Sequence, residues 1–246
     1  MLFRSKGNVV TPDEAVEQCG ADALRLYELF VAPFNQDVQW SNEGMQGAVR
    51  FLHRVFRLAQ ELEAYYDADW QGAITIATLG EDARKLRRLT HQTIRKATED
   101  IERFAFNTYV SSLMIYVNQA TDLAKVGGGP DFALAASEAL ETLILLLAPA
   151  APHTADELWE SIGKLGFTFL ESWPAWDGDL ARADSVTIAV QVNGKLRDTL
   201  ELAASASPGE LEQAALASSK VQVHLEGKTV RKVIVVPGKL VNVVVA

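Results

Sequence analysis

The sequence predicts a mainly α-helical bundle followed by a small α+β domain. Two patterns carry that expectation. Apolar residues recur at three- and four-residue steps through Trp159, and from Ser185 onward they alternate. Between the two, Trp173 to Asp184 is rich in Pro, Gly and Asp and reads as a linker. A chain of 246 residues is also more naturally two modest domains than one large one.

Thr11-Pro12-Asp13-Glu14 sets an N-cap, a first-turn proline and a capping-box acid in series, and Gly20 stops the helix they begin. Asp22 is placed to cap a second helix carrying Leu24, Leu26, Tyr27, Leu29 and Phe30, which Pro33 ends. Ser41 or Asn42 starts a long amphipathic helix through Leu52, Val55, Phe56, Ala59 and Leu62. The next, residues 81–98, sets Leu86, Leu89, Ile94 and Ala97 on one face and cations on the other. A fourth runs from Phe106 through Tyr109, Leu113, Val117 and Ala120 until the Gly127-Gly128-Gly129-Pro130 run ends it. Residues 131–147 are apolar nearly all round, which places that helix centrally, and Pro152 opens a shorter one through Leu158 and Trp159.

In the last segment Val186, Ile188, Val190 and Val192 point one way, and Asn193-Gly194 signals a type I′ hairpin into a strand through Leu196, Leu200 and Leu202. Ser207-Pro208-Gly209-Glu210 repeats the capping box ahead of a helix through Leu211 and Leu216. Strands over 229–236 and 240–245 flank Pro237-Gly238, giving the order ββαββ.

A single cysteine, Cys19, excludes a disulfide framework, and four scattered histidines give no metal-ligand spacing. The longest apolar run, Leu143 to Ala151, is too short to cross a membrane, and no secretory segment follows Arg4 and Lys6, so the cytosol is the expected compartment. The net charge of −9 is unevenly spread: from Ser185 on, seven Lys or Arg face five Asp or Glu, a net +2 that leaves the first 184 residues at −11. Screening makes such a local basic face matter more than the total, so an anionic partner remains open. No paired carboxylates, nucleophile–base pair or phosphate-cradling glycine loop stands out.

Whole stretches resemble one family, bacterial-type leucyl-tRNA synthetase. Ser5-Lys6-Gly7-Asn8-Val9-Val10 is similar to the segment closing the signature loop of class I aminoacyl-tRNA synthetases, and Gly20-Ala21-Asp22-Ala23-Leu24-Arg25 to the helix start after it. Phe106-Asn107-Thr108 and Leu147-Ala148-Pro149-Ala150-Ala151-Pro152-His153 resemble the anticodon-binding helical domain of the leucine, isoleucine and valine enzymes. Ala32-Pro33-Phe34-Asn35-Gln36-Asp37-Val38 with Trp40, Val190 to Arg197, and Gly227 to Lys232 narrow the resemblance to leucine. The departure is at Met1-Leu2-Phe3-Arg4-Ser5, where the family's loop reads K-M-S-K-S: the second lysine is Arg4, while the first lysine and first serine are lost. Met1 falling inside that motif suggests a piece of a longer chain.

The resemblance implies a loop remnant with connecting helices over 1–40, a helical anticodon-binding domain over 41–178 and a tRNA-binding α/β domain over 185–246. It implies a share in ATP-dependent leucylation of tRNA(Leu), with ATP and Mg as requirements of the whole enzyme. Catalytic and editing domains would be supplied in cis or by a separate subunit, and this chain alone is not expected to catalyse. A non-catalytic tRNA-binding subunit or free-standing tRNA-binding protein is the alternative.

Arg4, Ser5 and Lys6 are then the ATP-loop remnant, or a solvated terminus. Arg84, Lys85, Arg87, Arg88, Arg95 and Lys96 lie on one helix opposite its apolar stripe, and either track tRNA phosphates or form a solvated face. Lys195, Arg197, Lys228, Arg231, Lys232 and Lys239 mark a second tRNA contact, at the elbow in the family, although exposed lysines also protect sheet edges. His91 reads as a surface or capping residue, Asn107 as a buried interhelical hydrogen bond, and Trp40, Trp159, Trp173 and Trp176 as packing residues rather than base stackers.

Overall fold

The structure, a computed structural model, describes residues 10–33, 36, 38–75, 78–182, 185–203 and 206–246. The chain divides into two compact units, residues 1–181 and 182–246.

The first unit packs α1 (Pro12–Cys19), α2 (Ala21–Phe30), α3 (Asn42–Glu63), α5 (Glu81–Glu102), α6 (Phe106–Val126), α7 (Gly129–Leu147) and α8 (Pro152–Ser161) around one core, with the short α4 (Trp70–Ile74) against α7. The capping box at Thr11 forms as its residues require, and the Ser41 hydroxyl accepts from Gly44 N–H to start α3. The expected central helix is central: Phe132, Ala135, Ala139, Leu140, Leu143 and Ile144 of α7 are buried almost completely. The glycine run does more than end α6. Gly127 lies under the Phe132 ring, where an added Cβ would come within 2.1 Å, and α7 already begins at Gly129.

Asp22 does not cap its own helix. It sits buried in the first turn of α2, and its carboxylate accepts from Thr154 N–H at 2.6 Å, Thr154 Oγ1 at 2.7 Å and His153 N–H at 3.4 Å. It therefore satisfies the first turn of α8, whose own N-cap, Ala151, has no side chain to do so.

The Pro- and Gly-rich stretch is only partly a linker. After a short 3-10 turn (Thr168–Leu170), α5 holds it as a strap. Trp173 Nε1 donates to Thr98 Oγ1 at 2.8 Å, Asp177 N–H to His91 Nδ1 at 3.0 Å, and Gln92 Nε2 to Ala181 O at 2.9 Å. Composition showed an absence of periodicity, and α5 supplies the bonds that periodic structure would have made.

The second unit is a four-stranded sheet, β1 (Ser185–Val192), β2 (Lys195–Ala203), β3 (Val230–Val236) and β4 (Leu240–Val245), in the order β2-β1-β4-β3. β1 and β4 run parallel and the outer pairs antiparallel. Asn193 (φ 48°) and Gly194 (φ 76°) make the expected tight turn. Ile188, Val190, Val192, Val241 and Val243 bury one sheet face under α9 (Pro208–Ala217) and α10 (Ser219–Gln222). The second short helix makes the order ββααββ.

Candidate nucleic-acid interface

The cations of α5 do not share one face. At 3.6 residues per turn, Arg87 points toward α7, Arg84, Arg88 and Arg95 form an outer stripe, and Lys85 and Lys96 turn toward α6. Arg87 is committed to the interior: Nε donates to Glu138 Oε2 at 2.6 Å and Nη2 to Oε1 at 3.2 Å, with side chains only 15% and 8% exposed. His91 is buried beside them rather than at the surface, with Nε2 3.1 Å from Glu138 Oε1. Because Nδ1 accepts from Asp177, the proton of the neutral ring belongs on Nε2, which donates to Glu138. Burial pushes the Glu138 carboxyl up, but the hydrogen bonds from His91 and Arg87 outweigh it and hold the group below the usual carboxylate range.

Of the other α5 cations, Arg84, Lys85, Arg95 and Lys96 are exposed but engaged, and Arg88 is half-buried. Lys85 pairs with Glu81 at 2.6 Å, Arg95 with Glu99 at 2.9 Å and Lys96 with Asp100 at 2.6 Å, while Arg84 donates to Leu79 O at 2.6 Å. Arg88 and Lys85 line a groove between α5 and α6 with Gln92 and Gln119. The surface pairs are worth little and could be exchanged for phosphate contacts, whereas Arg87 could not be withdrawn without stranding Glu138.

A basic surface that the sequence reading passed over lies on α3. Arg50, His53, Arg54 and Arg57 are all exposed there. The arginines recur at steps of four and three residues, so they share a face, and none has an ion-pair partner among the described residues. Arg54 lies 5.9 Å over the Phe51 ring. Like charges at such spacings destabilise a helix by about 0.2–0.5 kcal/mol per pair. The spacing was legible; the lack of partners was not.

In the second unit the structure gathers five of the six expected cations at one end of the sheet. The Asn193-Gly194 turn, the start of β3 and the end of β4 meet there, since Asn193 Nδ2 donates to Val245 O at 3.1 Å and Asn193 Oδ1 accepts from Val245 N–H at 2.9 Å. Lys195, Arg197, Lys228, Arg231 and Lys232 belong to these segments, whereas Lys239 sits in the β3–β4 turn at the opposite end. Both ladders are irregular at an arginine: Val190 and Gln191 pair with Asp198 and Leu196, leaving Arg197 over, and Val230 and Lys232 pair across Arg231. Such bulges redirect a side chain out of the alternation. Lys232 shares its face with Ile234 and Val236, the side away from the helices, because Val233 and Val235 pack on the core.

The tryptophans mostly pack. Trp159 is buried with Lys164 5.4 Å over its ring, Trp40 lies edge-on to Tyr27 at 5.0 Å, and Trp173 is pinned to Thr98; Trp176 is exposed. Asn107 is half-buried, and its side chain makes no hydrogen bond among the described residues, so the expected interhelical bond is not formed. Arg4, Ser5 and Lys6 lie outside the described residues. Among the described residues no group of three His, Cys, Asp or Glu could hold a metal, and no helix is long and apolar enough to cross a membrane.

A helical bundle with basic helix faces, followed by a small α/β unit with a basic sheet end, is an architecture suited to a large structured polyanion. Residues 83–214, more than half of the chain, match the anticodon-binding domain of tRNA ligases, and the chain belongs to that family. It is similar to the leucine–tRNA ligases of Syntrophobacter fumaroxidans, 44% identical over 99% of this chain, and Citrifermentans bemidjiense, 44% identical over 100%. The chain spans about 30% of the length of these relatives. Among solved structures, its fold matches LeuRS from Agrobacterium radiobacter K84 in a ternary complex with tRNA and LeuAMS. That match has a TM-score of 0.77 and 29% identity, covering 99% of this chain and 31% of the other.

Proposed function

We propose that this chain is the tRNA-docking part of a leucine–tRNA ligase that acts in the cytoplasm. The observation that carries the reading is the match of both units together, over 99% of the chain, to a synthetase solved with tRNA. In the whole ligase ATP and Mg would serve the activation step, with Arg4, Ser5 and Lys6 of this chain as the end of the ATP-binding loop and the remaining catalytic groups on other domains, and the partner of the basic faces is tRNA(Leu). The bundle offers α3 and the outer face of α5, and the α/β unit offers Lys195, Arg197, Lys228, Arg231 and Lys232 at one sheet end, the contact that the family makes at the tRNA elbow. The reading holds whether the catalytic and editing domains are joined in cis or supplied as a separate subunit.

The test compares tRNA(Leu) binding by residues 1–246 and 1–184 across a salt series. Each lost phosphate contact lowers the slope of log affinity against log salt by roughly 0.7–0.9. Removal of the α/β unit is expected to lower the slope by several such steps. An unaltered affinity and slope would make that unit a structural appendage.

A further inference from the structure

We propose that the α3 stripe of Arg50, Arg54 and Arg57 is the bundle's main contact with the tRNA phosphodiester backbone, a role that the cation-rich α5 does not share equally. The inference rests on the tRNA reading above and adds the surface that the bundle uses.

The contrast lies in what each cation is doing in the free protein. On α5, carboxylates answer Lys85, Arg87, Arg95 and Lys96: Glu81, Glu138, Glu99 and Asp100 respectively. At each of these positions a phosphate displaces a carboxylate and leaves that carboxylate beside the polyanion, so little net charge is neutralised there even though the pair itself is weak. On α3, Arg50, Arg54 and Arg57 stand exposed without any such partner among the described residues. They remain exposed on a protein whose net charge is −9. Seven residues of helix separate the first from the last, about 10 Å along the axis. Their guanidinium groups carry the planar donor geometry that favours bidentate contact with phosphate. Exposed His53 lies on the edge of the stripe.

The stripe stands on a rigid support. Met45, Ala48, Phe51, Leu52, Val55, Leu58, Ala59 and Leu62 bury the opposite side of α3 in the bundle core, so the three arginines keep a fixed mutual register. A docking surface that pays no ordering cost in its backbone binds a preformed RNA helix at full strength.

The experiment uses the full chain and an unmodified tRNA(Leu) transcript, with affinity measured between about 50 and 300 mM salt. Replacing Arg50, Arg54 and Arg57 together with glutamine is expected to lower the salt slope by about two to three units. The parallel triple change of Lys85, Arg95 and Lys96 to glutamine should lower it by less than one. Thermal unfolding provides the second readout: Arg57→Gln is expected to leave the midpoint unchanged or raise it, because it removes like-charge repulsion with Arg54. If the α3 variant binds tRNA(Leu) with the parental slope while the parent chain binds well, the stripe is a solvated face and this inference falls, leaving the tRNA reading intact. If the parent chain shows no affinity for the transcript at any salt, the tRNA reading itself is overturned and takes this inference with it.

Discussion

Replacing Arg87 with alanine removes one side of the buried ion cluster that joins α5 to α7. Glu138 would keep its contact with His91 but lose both guanidinium hydrogen bonds, at 2.6 and 3.2 Å, in a site where its side chain is 8% exposed. Breaking a buried pair from one side costs about 3–5 kcal/mol. Because Arg87 is 15% exposed and His91 remains, the lower end, about 3 kcal/mol, is the expected loss. For a unit of this size each kcal/mol shifts the midpoint by about 2–4 °C, so the bundle should melt roughly 6–12 °C lower by scanning calorimetry at neutral pH. The double replacement Arg87→Met with Glu138→Leu should recover most of the loss, since it leaves no stranded charge. The pH dependence has a definite sign. The folded Glu138 carboxyl lies below its ordinary range, so its contribution is present above that range and is lost as pH falls through the lowered value. Parent and variant should therefore differ by a constant amount above about pH 5 and converge only in acid. An Arg87→Ala protein within about 0.5 kcal/mol of the parent would refute the reasoning.

Asp22→Ala should cost about 1–2 kcal/mol through loss of the cap that α2 lends to α8, measured by denaturant unfolding of the first unit, with Asp22→Ser recovering little because the serine hydroxyl cannot reach Thr154. Asn193→Ala should destabilise the second unit by about 1–3 kcal/mol, since it removes two hydrogen bonds to Val245 and places alanine at a positive φ. Amide exchange should then rise in β1, β2 and β4 while the bundle stays protected. Replacing Lys228, Arg231 and Lys232 singly should weaken tRNA binding unequally, with Lys232 on the open sheet face differing from Arg231 at its bulge; three equal effects in a salt titration would contradict the register.

The helices were readable where a signal is local. Thr11 with Glu14 and Ser207 with Glu210 each place a hydroxyl and a carboxylate three residues apart, and both capping boxes form. Asn193-Gly194 fixed the hairpin for the same reason, because positive φ at two consecutive positions is costly for most other pairs. Two short helices, α4 and α10, went unread because so few residues show no period, and the misreadings at the site are tertiary. Asp22 looks like a cap for its own helix and serves one 132 residues away. Arg87 looks like one surface cation among six, and its partner Glu138 lies 51 residues on. His91 and Gln92 give no hint in sequence that a Pro- and Gly-rich strap will bond to them. The basic face of α3 was partly legible, since Arg50, Arg54 and Arg57 keep a helical period, but which cations are answered by acids depends on the fold. In the second unit, strand alternation gave the faces, and only the register showed that five cations reach one sheet end while Lys239 does not.

The central claim is that this chain docks a leucine-accepting tRNA. Its most direct test is equilibrium binding of the 246-residue chain to tRNA(Leu) and to a tRNA of another specificity, side by side at about 150 mM salt. Binding of tRNA(Leu) is expected to be at least about tenfold tighter, a difference of about 1.4 kcal/mol. Equal affinity for the two, or no binding to either, would contradict it.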